Sequence, residues 1–246
     1  MRLAGKTAIV TGGASGFGAG IVRKFRAEGA EVMIADLNGA AAHDMAQATG
    51  SLAHETDVAK GESVAALAQS ALSAWGRIDI VVNNAGITHL PQMMEDVTEE
   101  MFDRVLAVNA KSVYLMAREI VPHMKTAKAG AILNIASTAG LSPRPKLNWY
   151  NASKGWMITA TKAMAAELAP QGIRVNALCP VAGETPLLSS FMGEDTPEMR
   201  AKFLSTIPLG RFSTPEDMGN AACFLCSDEA SMITGAALEV DGGRCI

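Results

Sequence analysis

The segment Thr7-Ala8-Ile9-Val10-Thr11-Gly12-Gly13-Ala14-Ser15-Gly16-Phe17-Gly18 decides the fold. Residues 7–11 form a short apolar run typical of a buried strand, and residues 16–27 have the spacing of a helix. Glycines between them permit positive φ and let the backbone approach a ligand closely. The N-terminus of the helix then offers free N–H groups and a partial positive charge. The segment therefore predicts a phosphate-binding turn formed by Gly12, Ser15, Gly16, Phe17 and Gly18.

Apolar β-rich runs and helical patterns alternate along the whole chain. The predicted strands are 7–11, 31–36, 52–57, 78–83, 131–136, 174–178 and 238–241. The predicted helices are 16–27, 40–48, 63–75, 98–125 (one helix or two abutting ones), 149–168 and 215–226. Such alternation predicts an α/β fold, a single Rossmann-type domain over residues 1–246 with a doubly wound parallel sheet. We expect the strand order 3-2-1-4-5-6, with the last strand extending the edge.

Residues 181–208 are the one weakly patterned stretch, rich in Gly, Ser, Thr, Pro and Met. A long irregular insertion in a compact domain is usually a functional loop, so we predict a substrate lid here. A helical surface excursion without a role is the alternative.

Composition excludes several classes of function. The 246 residues are 49% hydrophobic with a net charge of −4, so no basic excess indicates a nucleic-acid or anionic-membrane partner. No uncharged apolar run is long enough to cross a bilayer, and the first strand begins too early for a signal peptide. Four cysteines in the last third, and no metal-ligand spacing, favour a reduced cytoplasmic protein without a metal.

Asp36 ends the second predicted strand, 18 residues after Gly18, where an acidic residue can bind a ribose 2′-hydroxyl. Leu37 follows, and the glycine turn contains no Arg or Lys. A carboxylate near a 2′-phosphate would be strongly repelled. The pattern therefore predicts NAD rather than NADP as cofactor.

Tyr150 and Lys154 are four residues apart on a predicted helix and so lie on one face, one turn apart. A nearby cation can lower the pKa of a phenol toward the range that a general base needs. The pair is a common one by itself, but it follows a phosphate-binding turn in the same chain.

Together these motifs resemble the short-chain dehydrogenase/reductase family, in its form of about 250 residues, over essentially the whole chain. The matching positions are 11–18, Asp57, 83–86 (Asn-Asn-Ala-Gly), Asn109, Ser137, Tyr150, Lys154 and 180–185. One departure is Pro180-Val181, where such chains usually have Pro-Gly: valine restricts the backbone and adds bulk beside the nicotinamide.

The resemblance implies a role for each matching residue. Tyr150 would be the catalytic acid/base, Ser137 would bind the substrate oxygen, and Lys154 would bind the nicotinamide ribose. Asn109 would hold a water that links Lys154 to solvent. The remaining cofactor contacts would come from Asp57, Val58, Asn83, Ala85, Gly86, Pro180 and Thr185.

The expected activity is NAD-dependent hydride transfer between a secondary alcohol or polyol and its ketone. Two alternatives remain: a 3-oxoacyl-carrier-protein reductase, and a catalytically silent dinucleotide-binding sensor. The resemblance also suggests a homotetramer, formed through helix 149–168 and the C-terminal strand.

Several residues keep two interpretations. His89 contacts substrate or is a surface histidine, and Arg144 with Lys146 recognises an anionic substrate or braces a subunit contact. Leu187, Leu188 and Met192 line the lid or pack within it. Cys223 and Cys226 are expected to pack in a helix core rather than bind zinc.

Overall fold

A computed structural model describes all residues from Met1 to Ile246. Seven strands form its sheet: β1 Thr7–Thr11, β2 Glu31–Asp36, β3 Leu52–Glu55, β4 Ile80–Asn83, β5 Gly130–Ile135, β6 Ile173–Pro180 and β7 Ala237–Val240. The α-helices are α1 Gly16–Ala27, α2 Gly39–Thr49, α3 Gly61–Trp75, α4 Glu99–Leu106, α5 Ser112–Ala127, α6 Asn148–Leu168, α7 Leu188–Met192, α8 Pro197–Leu204 and α9 Pro215–Cys226.

All strand pairs are parallel, in the order β3-β2-β1-β4-β5-β6-β7. Each strand is connected to a parallel strand by a crossover, and the direction of winding changes after β3, so the crossover helices cover both faces. One core lies between the sheet and α1, α2 and α9, and the other between the sheet and α3, α5 and α6. The predicted single doubly wound domain and its strand order are confirmed.

The 98–125 segment is two helices, joined by one π-helical stretch at Ala107–Lys111. A π-turn inserts an extra residue into a helix, and such insertions are frequent at functional sites. Here it places Asn109, whose side chain is fully buried, toward the end of β4.

Helix α9 begins as its sequence indicates. The Thr214 hydroxyl accepts a hydrogen bond from Asp217 N (3.2 Å), and the Asp217 carboxylate accepts one from Thr214 N (2.8 Å). This capping box satisfies amide groups that the first helical turn leaves free.

Cys223 and Cys226 are buried in the core beneath this helix, which confirms their expected packing role. None of the helices combines the length and the hydrophobicity needed to cross a membrane.

Candidate active site

A cleft of about 650 Å³ runs along the carboxyl ends of the strands. At one end it is lined by residues that follow β2 and β3, and at the other by residues that follow β5 and β6. Strands β2 and β5 are separated by β1 and β4, so their ends lie about 14 Å apart at normal strand spacing. The cleft is therefore long enough for an extended ligand.

The glycine turn, in the segment that follows β1, forms the middle of this cleft. Gly12 has φ of +62°, which a side chain would strain. Gly18 is buried behind the turn, and a Cβ atom there would lie 2.1 Å from the Gly12 carbonyl oxygen. Ser15 is the N-cap residue of α1, but its side chain makes no capping bond. Gly12, Ser15, Gly16 and Phe17 line the cleft, whereas Gly18 supports the turn from behind.

Asn84 holds this turn in place, a role that the sequence does not predict. Its side-chain amide donates to the carbonyls of Thr11 (2.9 Å) and Gly12 (3.0 Å). The Thr11 hydroxyl in turn accepts from the backbone of Asn84 and Ala85 (both 3.0 Å). The only signal for this role was its position beside Asn83 and Ala85 in the motif.

Asp36 and Leu37 line the β2 end of the cleft, with Asp57 and Val58 beside them. The Asp36 carboxylate accepts from Ala14 N in the glycine turn (3.1 Å) and from Asn38 N (3.0 Å). Those bonds fix a negative charge at the edge of the cleft.

Ala85 and Gly86 line the middle of the cleft, but Asn83 does not. Asn83 is buried, and its amide donates to Asn134 (2.8 Å), which donates to Thr161 (2.8 Å). This chain of bonds ties β4, β5 and α6 together, so Asn83 is placed to support the cleft rather than to touch a ligand.

Ser137, Tyr150 and Lys154 meet at the β5 end. The Ser137 hydroxyl accepts from Ala139 N (3.1 Å), which fixes the turn after β5. Lys154 donates to the Ile135 carbonyl (2.7 Å), and its Nζ lies 5.9 Å from the centre of the Tyr150 ring. The helix α6 presents both residues on one face, as their spacing predicts.

The spacing of Tyr150 and Lys154 suggests that the cation lowers the pKa of the phenol, but in the structure that pKa is raised. Burial raises the pKa of Tyr150 to about 12, and the Ser137 hydroxyl only partly opposes this rise. Burial also lowers the pKa of Lys154 to about 8. Desolvation penalises the charged form of each group, and it is the largest cause of both shifts in pKa. Without a ligand, Tyr150 is therefore a protonated phenol at neutral pH.

Asn109 lies beneath the cleft rather than in its lining. Its side chain accepts from Ile87 N (2.9 Å) and donates to the Ile87 carbonyl (2.9 Å) and the Ser153 hydroxyl (3.0 Å). These bonds join the segment after β4 to α6, next to Lys154.

The 181–208 segment contains α7 and α8 and covers the β6 end of the cleft. Pro180, Thr185 and Leu187 line the cleft, whereas Leu188 and Met192 pack beneath it. Val181 is buried against Leu188, Met192, Ile207 and Phe212, and it also lines the cleft. The valine that departs from the family pattern thus packs in the core of this segment, and its φ is not in the left-handed region that would favour glycine.

His89 and Arg144 have different surroundings. His89 is buried rather than at the surface, and its Nδ1 lies 2.8 Å from the Leu90 carbonyl, away from the cleft lining. Arg144 lines the cleft, whereas Lys146 points to solvent.

Comparisons with known proteins agree with this arrangement. Residues 12–244 match a family model described as enoyl-(acyl carrier protein) reductase. The chain is 49% identical, over the full length of both proteins, to 4-formylbenzenesulfonate dehydrogenase of Comamonas testosteroni. It is 37% identical to the NAD(+)-dependent 2-dehydro-3-deoxy-L-rhamnonate dehydrogenase of a Sphingomonas strain, covering 99% of this chain and 96% of that one.

Among solved structures, a 3-ketoacyl-(acyl-carrier-protein) reductase from Brucella melitensis, in complex with NADH, superposes with a TM-score of 0.95. The two are 51% identical, over 99% of this chain and 100% of that one. Full-length matches of this strength, together with the sheet order and the glycine turn, establish that this chain belongs to the short-chain dehydrogenase/reductase family.

Proposed function

We propose that this protein transfers a hydride between NAD and a secondary alcohol or polyol, giving the corresponding ketone reversibly. The observation that supports this most strongly is the meeting of Ser137, Tyr150 and Lys154 at one end of a cleft. The glycine turn and Asp36 lie farther along the same cleft. An acid/base group and a dinucleotide site share one channel, which is the arrangement that hydride transfer requires.

The cleft residues suit NAD along its length. The glycine turn and the start of α1 would hold the pyrophosphate, because the backbone can approach it closely there. Asp36 and Leu37 would accept the adenosine ribose, with Asp57 and Val58 beside the adenine. Lys154, Pro180 and Thr185 would hold the nicotinamide half. The Brucella relative bound to NADH supports this assignment.

NAD supplies the hydride acceptor, and we assign the proton chemistry to the protein. In oxidation Tyr150 takes the hydroxyl proton of the substrate, and in reduction it returns a proton to the carbonyl oxygen. Ser137 donates a hydrogen bond to the same substrate oxygen. Lys154 supplies the positive charge that favours the phenolate. Asn109 would position Lys154 through α6, and the water relay expected at this residue stays a prediction.

We also assign segment 181–208 as a lid, because its two short helices bring Phe191 and Phe203 to the cleft, beside Leu187 at the start of α7. A closed lid would exclude water from the site of hydride transfer.

The second candidate is reduction of a 3-oxoacyl thioester, favoured by the similarity to the Brucella 3-ketoacyl-(acyl-carrier-protein) reductase. Against it stand Asp36, which disfavours NADPH, and a net charge of −4, which does not suit an acidic carrier protein. An aldehyde substrate, as in the name of the Comamonas relative, would use the same proton donor and acceptor.

The test is NADH formation by the purified protein with a panel of secondary alcohols and polyols, followed by absorbance. NADH oxidation with a 3-oxoacyl thioester and with aromatic aldehydes is measured in parallel. We expect turnover of at least one alcohol with NAD. Tight NADH binding without turnover of any compound would instead support a silent sensor.

We propose that the protein is a cytoplasmic homotetramer. Trp156 on α6 and Tyr114 on α5 are 44% and 54% exposed, and Leu238 lies on the unpaired edge strand β7. Exposed aromatic residues and an open sheet edge are features of subunit interfaces.

Replacing Trp156 by Glu is expected to convert tetramers into smaller species, because a charge would be buried in the interface. Light scattering coupled to size exclusion gives the molar mass directly. Leu52→Glu, on the exposed face of β3 at the opposite sheet edge, is the matched control and should remain tetrameric. A monomeric wild-type protein would contradict the proposal.

A further inference from the structure

Arg144 brings a positive charge to the substrate end of the cleft. It lies in the loop between Ser137 and the start of α6, and it lines the cleft together with both Ser137 and Tyr150. Its guanidinium carbon lies 4.8 Å from the centre of the Phe203 ring on α8. Stacking on an aromatic ring orients the planar group while leaving its edge N–H donors free.

No carboxylate neutralises this guanidinium. Arg144 takes part in none of the ion pairs of the protein, which all involve other residues. The nearby charged group is Arg244, of the same sign, and its buried Nε has no hydrogen-bond partner. The acidic residues that line the cleft are Asp36 and Asp57, which follow β2 and β3, at the far end from β5.

Arg144 nevertheless stays charged at neutral pH. Burial lowers its pKa to about 10, with the like charge of Arg244 acting in the same direction. A value of about 10 lies above neutral pH, so the protonated form predominates. A half-buried cation without a partner is unfavourable, and binding of an anion would relieve that cost.

The backbone holds Arg144 in place independently of its side chain. The Arg144 carbonyl accepts from the Asn151 amide of α6 (2.7 Å), and the Lys146 carbonyl accepts from Gln92 N (3.0 Å). Pro143 and Pro145 flank the arginine and restrict the chain. The guanidinium is therefore preorganised for a ligand, which reduces the entropy lost on binding.

Apolar side chains surround the space near the reacting phenol. The Phe191 ring packs edge-on against the Tyr150 ring, with centres 5.1 Å apart. Phe191, Phe203, Leu147 and Leu187 all line the same cleft as Arg144. A ligand that fills this region would present an apolar, ring-sized body to these walls.

We propose that Arg144 is a specificity residue that binds a carboxylate or sulfonate on the substrate, with an apolar ring-sized group joining that anion to the reacting carbon. The inference rests on the proposed function, because it names the substrate class of the same site. The planar fork of a guanidinium matches two oxygens of either anion.

Binding to the NADH complex tests the proposal without any turnover. Benzoate and benzenesulfonate are titrated by calorimetry against benzamide, which has the shape of benzoate without its charge. We expect the wild type to bind at least one anion at least tenfold more tightly than benzamide, since charged hydrogen bonds contribute that much. Arg144→Gln should abolish the preference, and Arg144→Lys should restore part of it.

Lys146→Gln is the matched control, because it removes the same charge from the same loop at a solvent-exposed position. It should keep the wild-type preference. Circular dichroism and NADH affinity verify that each variant is folded. Equal wild-type affinity for benzamide and both anions, or a preference that survives in Arg144→Gln, would overturn the proposal.

Turnover separates this inference from the proposed function. With 1-phenylethanol and its para-carboxy and para-sulfo derivatives, the wild type should show a kcat/KM at least tenfold higher for an anionic alcohol. Arg144→Gln should remove this difference through KM while sparing the neutral alcohol. Equal kcat/KM values for all three alcohols would contradict the anion site but leave the dehydrogenase assignment intact. Anion binding through Arg144 without any alcohol oxidation in the wider panel would contradict the dehydrogenase assignment but support the anion site.

Discussion

Tyr150→Phe is expected to lower kcat by about 10²–10⁴-fold while NADH binding stays close to that of the wild type. The substitution removes the hydroxyl that exchanges a proton with the substrate oxygen. Ser137, which only donates a hydrogen bond to that oxygen, is left in place. The ring and its packing against Phe191 are retained, so the fold and the cofactor site should be unaffected. Steady-state kinetics with the best alcohol of the panel, together with NADH fluorescence titration, measure both quantities.

The chain has a matched control for this substitution. Tyr114, the other tyrosine, is 54% exposed on α5 and does not line the cleft. Tyr114→Phe should therefore keep wild-type turnover. Near-normal kcat in Tyr150→Phe would remove the phenol from the mechanism and with it the proposed proton transfer.

The pH dependence gives the same residue a second signature. Because burial raises the pKa of Tyr150 to about 12, the protein without ligand holds a neutral phenol at physiological pH. Reduction of a ketone needs that phenol as donor, so it should proceed at neutral pH and weaken at high pH. Oxidation of an alcohol needs the phenolate, so it should rise toward alkaline pH. Tyr150→Phe should lose both dependences.

Local patterns were enough to predict most of the fold. Residues 7–11 and 16–27 became β1 and α1 with the predicted bounds, because a buried strand and an amphipathic helix each have a distinct hydrophobic period. The third strand ended at Glu55 rather than at residue 57, since strand ends depend on pairing with a neighbour. The split of 98–125 by a π-turn depends on the buried Asn109 bonds, which no local pattern encodes.

The cleft was less predictable where contacts are distant in sequence. Asn84 holds the glycine turn from the segment after β4, about 70 residues away, and amide residues carry no signature for such a role. The high pKa of Tyr150 comes from its burial in the folded protein, which the spacing of Tyr150 and Lys154 cannot reveal. Likewise, Val181 departs from the motif, and its packing against Leu188 and Met192 explains why an apolar side chain is found there.

Wild-type protein is expected to use NADH about a thousandfold better than NADPH in kcat/KM, and Asp36→Asn with Leu37→Arg should reverse that preference. Two unit charges about 4 Å apart repel by about 4 kcal/mol at an effective dielectric near 20, which corresponds to roughly a thousandfold. The Asp36 carboxylate is held in place by bonds from Ala14 N and Asn38 N, so it cannot readily turn away from a 2′-phosphate. Asparagine keeps a hydrogen-bond acceptor there without the charge. Arginine at the exposed, cleft-lining position 37 adds a partner for the phosphate.

Asp57→Asn separates this specific repulsion from the general loss of a negative charge in the cleft. Asp57 also lines the cleft, and its carboxylate accepts from Ala59 N (3.0 Å) beyond β3. If the 2′-phosphate is repelled by Asp36 in particular, Asp57→Asn should change the kinetics with NADH and NADPH by similar factors and leave their ratio near the wild-type value. The single variant Asp36→Asn should recover most of the NADPH activity, since it removes the repulsion, and Leu37→Arg should complete the reversal. A wild-type preference for NADPH, or a ratio that responds equally to Asp36→Asn and Asp57→Asn, would mean that another group selects the cofactor.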